Sequence, residues 1–239
     1  MPDPINPNRR DWWAVIFALV LPTLITVVYF ILLAGERAML QQAAYAGGKL
    51  IQFLFPVFWC LRVQRARWMW QPPKHAEVVF AGAVGVALLG AALAFYHFQL
   101  KPGGFFGDAV IDAVRSKVQG MGVGTIPRYV ALTFFYSLIH SLLEEYYWRW
   151  FVFGQLRRLV SLPSAIAISS TGFMAHHVCI VSSFFGWFSP ASILLSLAVG
   201  VGGAIWAWLY HRTGSLWGPW ISHALVDAGI FIIGYDLAL

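Results

Sequence analysis

This sequence is short of charge. Only 11% of its 239 residues are Asp, Glu, Lys or Arg, against about 25% in an ordinary soluble domain. With 59% hydrophobic and 17% aromatic residues and a mean hydropathy of +0.69, the chain is too apolar for a water-soluble domain of this length. Cysteine is scarce too. Cys60 and Cys179 each sit inside an apolar run, so they read as small packed hydrophobes and support neither a disulfide framework nor a reactive thiolate. The formal charge of +6 is spread between apolar runs without a basic stripe, which argues against nucleic-acid binding. No small-residue cleavage motif follows Arg9 and Arg10, so the first apolar run reads as a retained signal anchor. Internal repeats, a strand-borne phosphate loop and a His-Glu-x-x-His spacing are all missing.

What remains is long hydrophobic runs. A spanning helix needs about 20 mostly apolar residues, and such runs fall near Trp12–Ala34, Gly47–Leu61, Glu77–Phe98, Pro127–Phe151, Ser164–Val181, Ser192–Tyr210 and Leu216–Tyr235. The expected fold is all-α: a polytopic transmembrane bundle of about seven spanning helices, forming one integral membrane domain over residues 1–239. Phe105–Lys117 adds Val110, Ile111 and Val114 at helical spacing, with Asp112, Arg115 and Lys117 elsewhere, which predicts a short amphipathic helix in a loop. Arg9, Arg10, Arg62, Arg65, Arg67, Lys74, Arg157, Arg158 and Arg212 cluster on one side of this topology. Arg37, Lys49, Lys101, Arg115, Lys117 and Arg128 fall on the other. The bias puts the N-terminal tail, residues 1–11, in the cytoplasm and the C-terminus outside, in a cell-membrane protein. Trp12, Trp13, Trp68, Trp70, Trp217 and Trp220 lie at predicted helix ends, as interfacial anchors do. Gly200, Gly202 and Gly203 suit close helix packing, which serves contacts within and between chains equally and assigns no oligomeric state.

Against this background a few polar residues stand out, because an ionisable group at mid-membrane costs at least about 2.5–3.5 kcal/mol and usually faces a partner or a watery cavity. Ser141-Leu-Leu-Glu144-Glu145-Tyr-Tyr-Trp-Arg149 sets two carboxylates and an arginine in one apolar segment. At 100° per residue Glu145 and Arg149 are spaced for an ion pair, so Glu145 reads as the structural acid. Glu144, with His140 one turn earlier on its face, reads as the candidate base. A second segment holds Phe173 one turn before His177, with His176 pointing about 100° away. A third holds His223 and Asp227 on one helical face.

The ordered set Glu144-Glu145-x-x-x-Arg149, Phe173-x-x-x-His177 and His223-x-x-x-Asp227 resembles the type II CAAX prenyl endopeptidases, also called the CPBP or ABI family of intramembrane proteases. The resemblance covers a four-helix core over residues 127–235. It implies a glutamate-dependent endopeptidase acting near the C-terminus of a membrane-associated protein or peptide, lipidated in the prenyl-processing case, with no cofactor. By position, Glu144 and His177 would hold and activate water, and His223 and Asp227 would support the oxyanion. Glu145, Arg149, Phe173, His140 and His176 would take supporting places around them. Some members carry asparagine where this chain has Asp227. Because an ionised carboxylate aimed at an oxyanion would oppose it, Asp227 is expected to accept a hydrogen bond from the His223 ring.

Three other readings use the same residues. In a zinc-dependent protease, Glu144, His177 and His223 would ligate the metal, drawn from separate helices. In a non-catalytic immunity or scaffold protein the polar groups would only secure helix packing. A transporter would use them as titrating groups, but the paired repeats common in transporters are not evident.

Overall fold

The computed structural model describes residues 9–65 and 72–239, and no strand occurs among them. Eight helices follow in order: α1 Arg9–Leu32, α2 Ala38–Val63, α3 His75–Leu100, α4 Asp108–Gly120, α5 Ile126–Leu159, α6 Leu162–Phe185, α7 Pro190–Thr213 and α8 Trp217–Ala238. All but α4 are long and apolar enough to span a membrane, giving seven candidate spans among the described residues. The all-α, seven-span architecture read from hydropathy is therefore the one observed. Helices suit this setting because each satisfies its backbone polar groups internally, where no water can.

The boundaries differ from the sequence reading in instructive places. Helix α2 begins at Ala38 rather than Gly47, because Ala, Met, Leu and Gln are strong helix formers even where Gln41 and Gln42 lower the hydropathy. Helix α5 runs on to Leu159, well past the apolar window. Helix α4 matches the expected amphipathic segment: Val110, Ile111 and Val114 are half-buried, and Asp112 and Arg115 are exposed. The Trp220 Nε1 donates to the Leu138 carbonyl at 2.9 Å, a contact that its reading as an interfacial anchor did not include. Arg67, Trp68, Trp70 and most of the tail over residues 1–11 fall outside the described residues. Both cysteines are buried and free.

By contact the chain resolves into two units: Met1–Gln71 with Tyr146–Arg212, and Pro72–Glu145 with Thr213–Leu239. The division falls inside α5, directly after the paired glutamates. In the first unit α1 packs along α6. Helix α6 starts where the Ser161 side chain accepts from the Ser164 amide at 3.4 Å, with proline in its first turn. It stops at Gly186, whose φ of +83° favours glycine. In the second unit α8 lies along α3. The approach is so close that a Cβ on Gly85 would sit 2.8 Å from the Ser222 Cα, one residue before His223. Asp236 ties the far end of the same pair, accepting from the Tyr96 hydroxyl at 2.5 Å and from Lys101 Nζ at 2.6 Å.

Candidate functional site

The second unit gathers carboxylates round one imidazole. Glu144 and Glu145 are 3% and 0% exposed, and they occupy a short α-helical turn, Ser141–Glu145, between two π-helical stretches of α5, Phe135–His140 and Tyr146–Phe153. Such widened turns are rare and often mark functional positions. Opposite them α8 presents His223, itself 3% exposed. Its Nδ1 donates to Glu145 Oε1 at 2.7 Å. Its Nε2 lies 3.5 Å from Asp227 Oδ1 and 3.8 Å from Glu144 Oε2. His140 Nε2 stands 4.0 Å from the other Glu144 oxygen. A carboxylate accepts and cannot donate, so Glu145 fixes the proton on Nδ1. The residue whose geometry sets the His223 tautomer is thus Glu145, and Asp227 lies at the opposite nitrogen.

The first unit treats its polar residues differently. Arg149 is 2% exposed, and its guanidinium lies 4.7 Å from the Phe173 ring centre and 5.3 Å from that of Trp206. Its Nη2 donates to the Gly203 carbonyl at 3.3 Å. On α6 the His177 Nδ1 donates to the Phe173 carbonyl at 2.9 Å, which leaves Nε2 as the lone-pair nitrogen of the neutral ring. The Phe173 ring rests 4.7 Å from the His177 ring at 55°. His176 turns to the Trp148 indole, stacked at 5.5 Å with 3° between the planes, and is 3% exposed.

Each residue singled out from the sequence thus belongs to one of two constellations. His140, Glu144, Glu145, His223 and Asp227 meet in one unit, while Arg149, Phe173, His176 and His177 meet in the other. Sequence reasoning missed Trp206 and Trp148, whose rings hold Arg149 and His176. The signal for Trp206 was faint: Gly202-Gly203-x-x-Trp206 reads as ordinary helix packing, and only the buried arginine gives the tryptophan a polar task.

Residues 126–229 match the family described as Type II CAAX prenyl endopeptidase Rce1-like. No curated protein and no solved structure matches the chain. The matched stretch carries all three polar motifs, and the seven apolar helices fit a multi-pass membrane protease. Over residues 126–229, a little under half of its length, the chain is thus similar to the Rce1-like type II CAAX prenyl endopeptidases.

Proposed function

We propose that the chain is a glutamate-dependent intramembrane endopeptidase that cuts a membrane-associated protein or peptide near its C-terminus. The observation that carries this reading is the cluster of buried Glu144, Glu145 and His223 with half-buried Asp227, held in apolar helices within the family-matching stretch. So many polar groups are costly in a membrane unless they have work to do. The likeness of residues 126–229 to the Rce1-like family supports drawing His177 into the same chemistry.

In the proposed reaction Glu144 takes a proton from a water molecule that His177 Nε2 helps to hold, and the water oxygen attacks the scissile carbonyl carbon. Negative charge on the carbonyl oxygen is met by the Nε2–H of His223 in its doubly protonated form, while the Nδ1–H stays on Glu145 and keeps the ring in orientation. As the C–N bond breaks, the proton on Glu144 passes to the leaving amine. In this reading the carboxylate turns the water over directly; the alternative zinc ligands, Glu144, His177 and His223, would have to come from three separate helices, with no His-Glu-x-x-His spacing. A prenylated cysteine suits a site reached from the bilayer, so the substrate class is a C-terminal, lipid-bearing segment. The basic residues favour a cell-membrane protein with its N-terminus in the cytoplasm and its C-terminus outside.

The test is turnover of a farnesylated peptide ending in a CAAX sequence by the purified protein in vesicles. Glu144→Ala is expected to lose cleavage by about 1,000-fold or more, on the scale of losing a general base together with its water contact, while melting at the wild-type temperature. A variant that instead fails to fold, beside a wild type that cuts nothing, would identify a structural knot. Loss of activity on chelation, restored by zinc alone, would replace direct activation with the metal-dependent mechanism.

A further inference from the structure

We propose that Trp206 is a positioning residue which, with Arg149 and Gly203, clamps Phe173 and thereby holds the His177 imidazole in one tautomer and one orientation. The inference deepens the proposed function and rests on it for the catalytic meaning of His177. Its geometry lies wholly within the first unit.

Phe173 touches His177 twice. Its carbonyl receives the Nδ1 proton at 2.9 Å, and its ring forms a wall 4.7 Å from the imidazole. The carbonyl is fixed by the α6 backbone, but the ring is free to turn unless something holds it. Three groups do. The Arg149 guanidinium covers it at 4.7 Å, the Trp206 ring meets it edge-on at 6.0 Å and 85°, and Gly203 lets α7 approach so closely that a Cβ there would stand 3.2 Å from Phe173 Cδ1. Arg149 is itself captured, with Trp206 5.3 Å from the guanidinium and the Gly203 carbonyl accepting from Nη2 at 3.3 Å. A cation desolvated among aromatic faces is held more firmly than one in water. Trp206 therefore bears on Phe173 directly and through the arginine.

Without the clamp the Phe173 ring would turn away, the imidazole would lose its wall, and rotation about its side chain would exchange the Nδ1–carbonyl bond for other arrangements. A base or water holder displaced by about 1 Å can cost about 100-fold in rate. The loss should fall on kcat, because nothing in the clamp is assigned to substrate binding.

Two measurements on the full-length protein separate this proposal from the protease reading. NMR of isotope-labelled histidine reports which ring nitrogen of His177 carries the proton, with no turnover required. The wild type is expected to show the proton on Nδ1. Trp206→Leu is expected to show a mixture of tautomers, with kcat lower by about 10- to 100-fold at unchanged KM, and Trp206→Phe should restore much of both. Gly203→Ala, which presses on Phe173 from the same side, should shift the His177 signal as well and covers the case of a Trp206→Leu protein that does not fold. Wild-type histidine signals in folded Trp206→Leu or Gly203→Ala would overturn the clamp. If the signals shift as expected while the wild type cleaves no peptide, the clamp stands and only the protease reading fails.

Discussion

The two units set different groups beside their buried charges. Around His223 the compensation is ionic: three carboxylates approach one imidazole, and the shortest contact, 2.7 Å to Glu145, is a direct hydrogen bond. Beside Arg149 stand two aromatic rings and one backbone carbonyl. Hydrogen bonds to charged groups are directional and fix an atom's position. A ring face accepts a cation over a broader range of geometry and fills space. The contrast suggests a division of labour in which the ionic unit aims its donors and bases, and the aromatic unit steadies what stands beside it.

The sharpest way to break that contrast is to weaken aiming without changing shape. Glu145→Gln keeps an oxygen acceptor for the His223 Nδ1 proton but removes the charge. It is expected to lower kcat roughly 10- to 100-fold, as loss of an orienting partner does elsewhere, with KM and melting temperature nearly unchanged. Steady-state kinetics beside thermal unfolding in detergent would check it. Equal losses in kcat and in stability would mean that Glu145 is structural in the same sense as Arg149.

A smaller and different effect is expected from Gly85→Ala. The added methyl would sit 2.8 Å from the Ser222 backbone, and backbone cannot swing aside as a side chain can. Overpacking of this kind costs about 1–3 kcal/mol, read as a lower melting temperature, and it should reach activity through the neighbouring His223. An unchanged melting temperature would show that α3 and α8 have slack and that the ionic cluster does not depend on their close approach.

Much of this was legible in the sequence because charge in an apolar run is conspicuous. Glu144, Glu145, Arg149, His177, His223 and Asp227 could be found by eye, and the seven spans followed from hydropathy. What could not be read was the partner of each group. His223 and Glu145 are 78 positions apart, a pairing that no local spacing encodes. The 100° per residue used to relate Glu145 to Arg149 assumes an even α-helix, yet Arg149 lies in the π-helical stretch Tyr146–Phe153, where that rotation does not hold. Trp206 was hidden for another reason: tryptophan is common in membrane proteins, so composition gives it no contrast, while Gly203 could be read as a packing residue but not as the acceptor for Arg149.

The claim that Glu144 acts on water, and not on the substrate itself, is tested most directly by a single turnover in heavy-oxygen water with enzyme in excess over the farnesylated peptide. The account predicts one heavy oxygen in the new carboxylate of the cleaved peptide and none in the Glu144 side chain, read by mass spectrometry of both. Heavy oxygen incorporated into Glu144 would mean that the carboxylate had attacked the peptide carbonyl, and would contradict it.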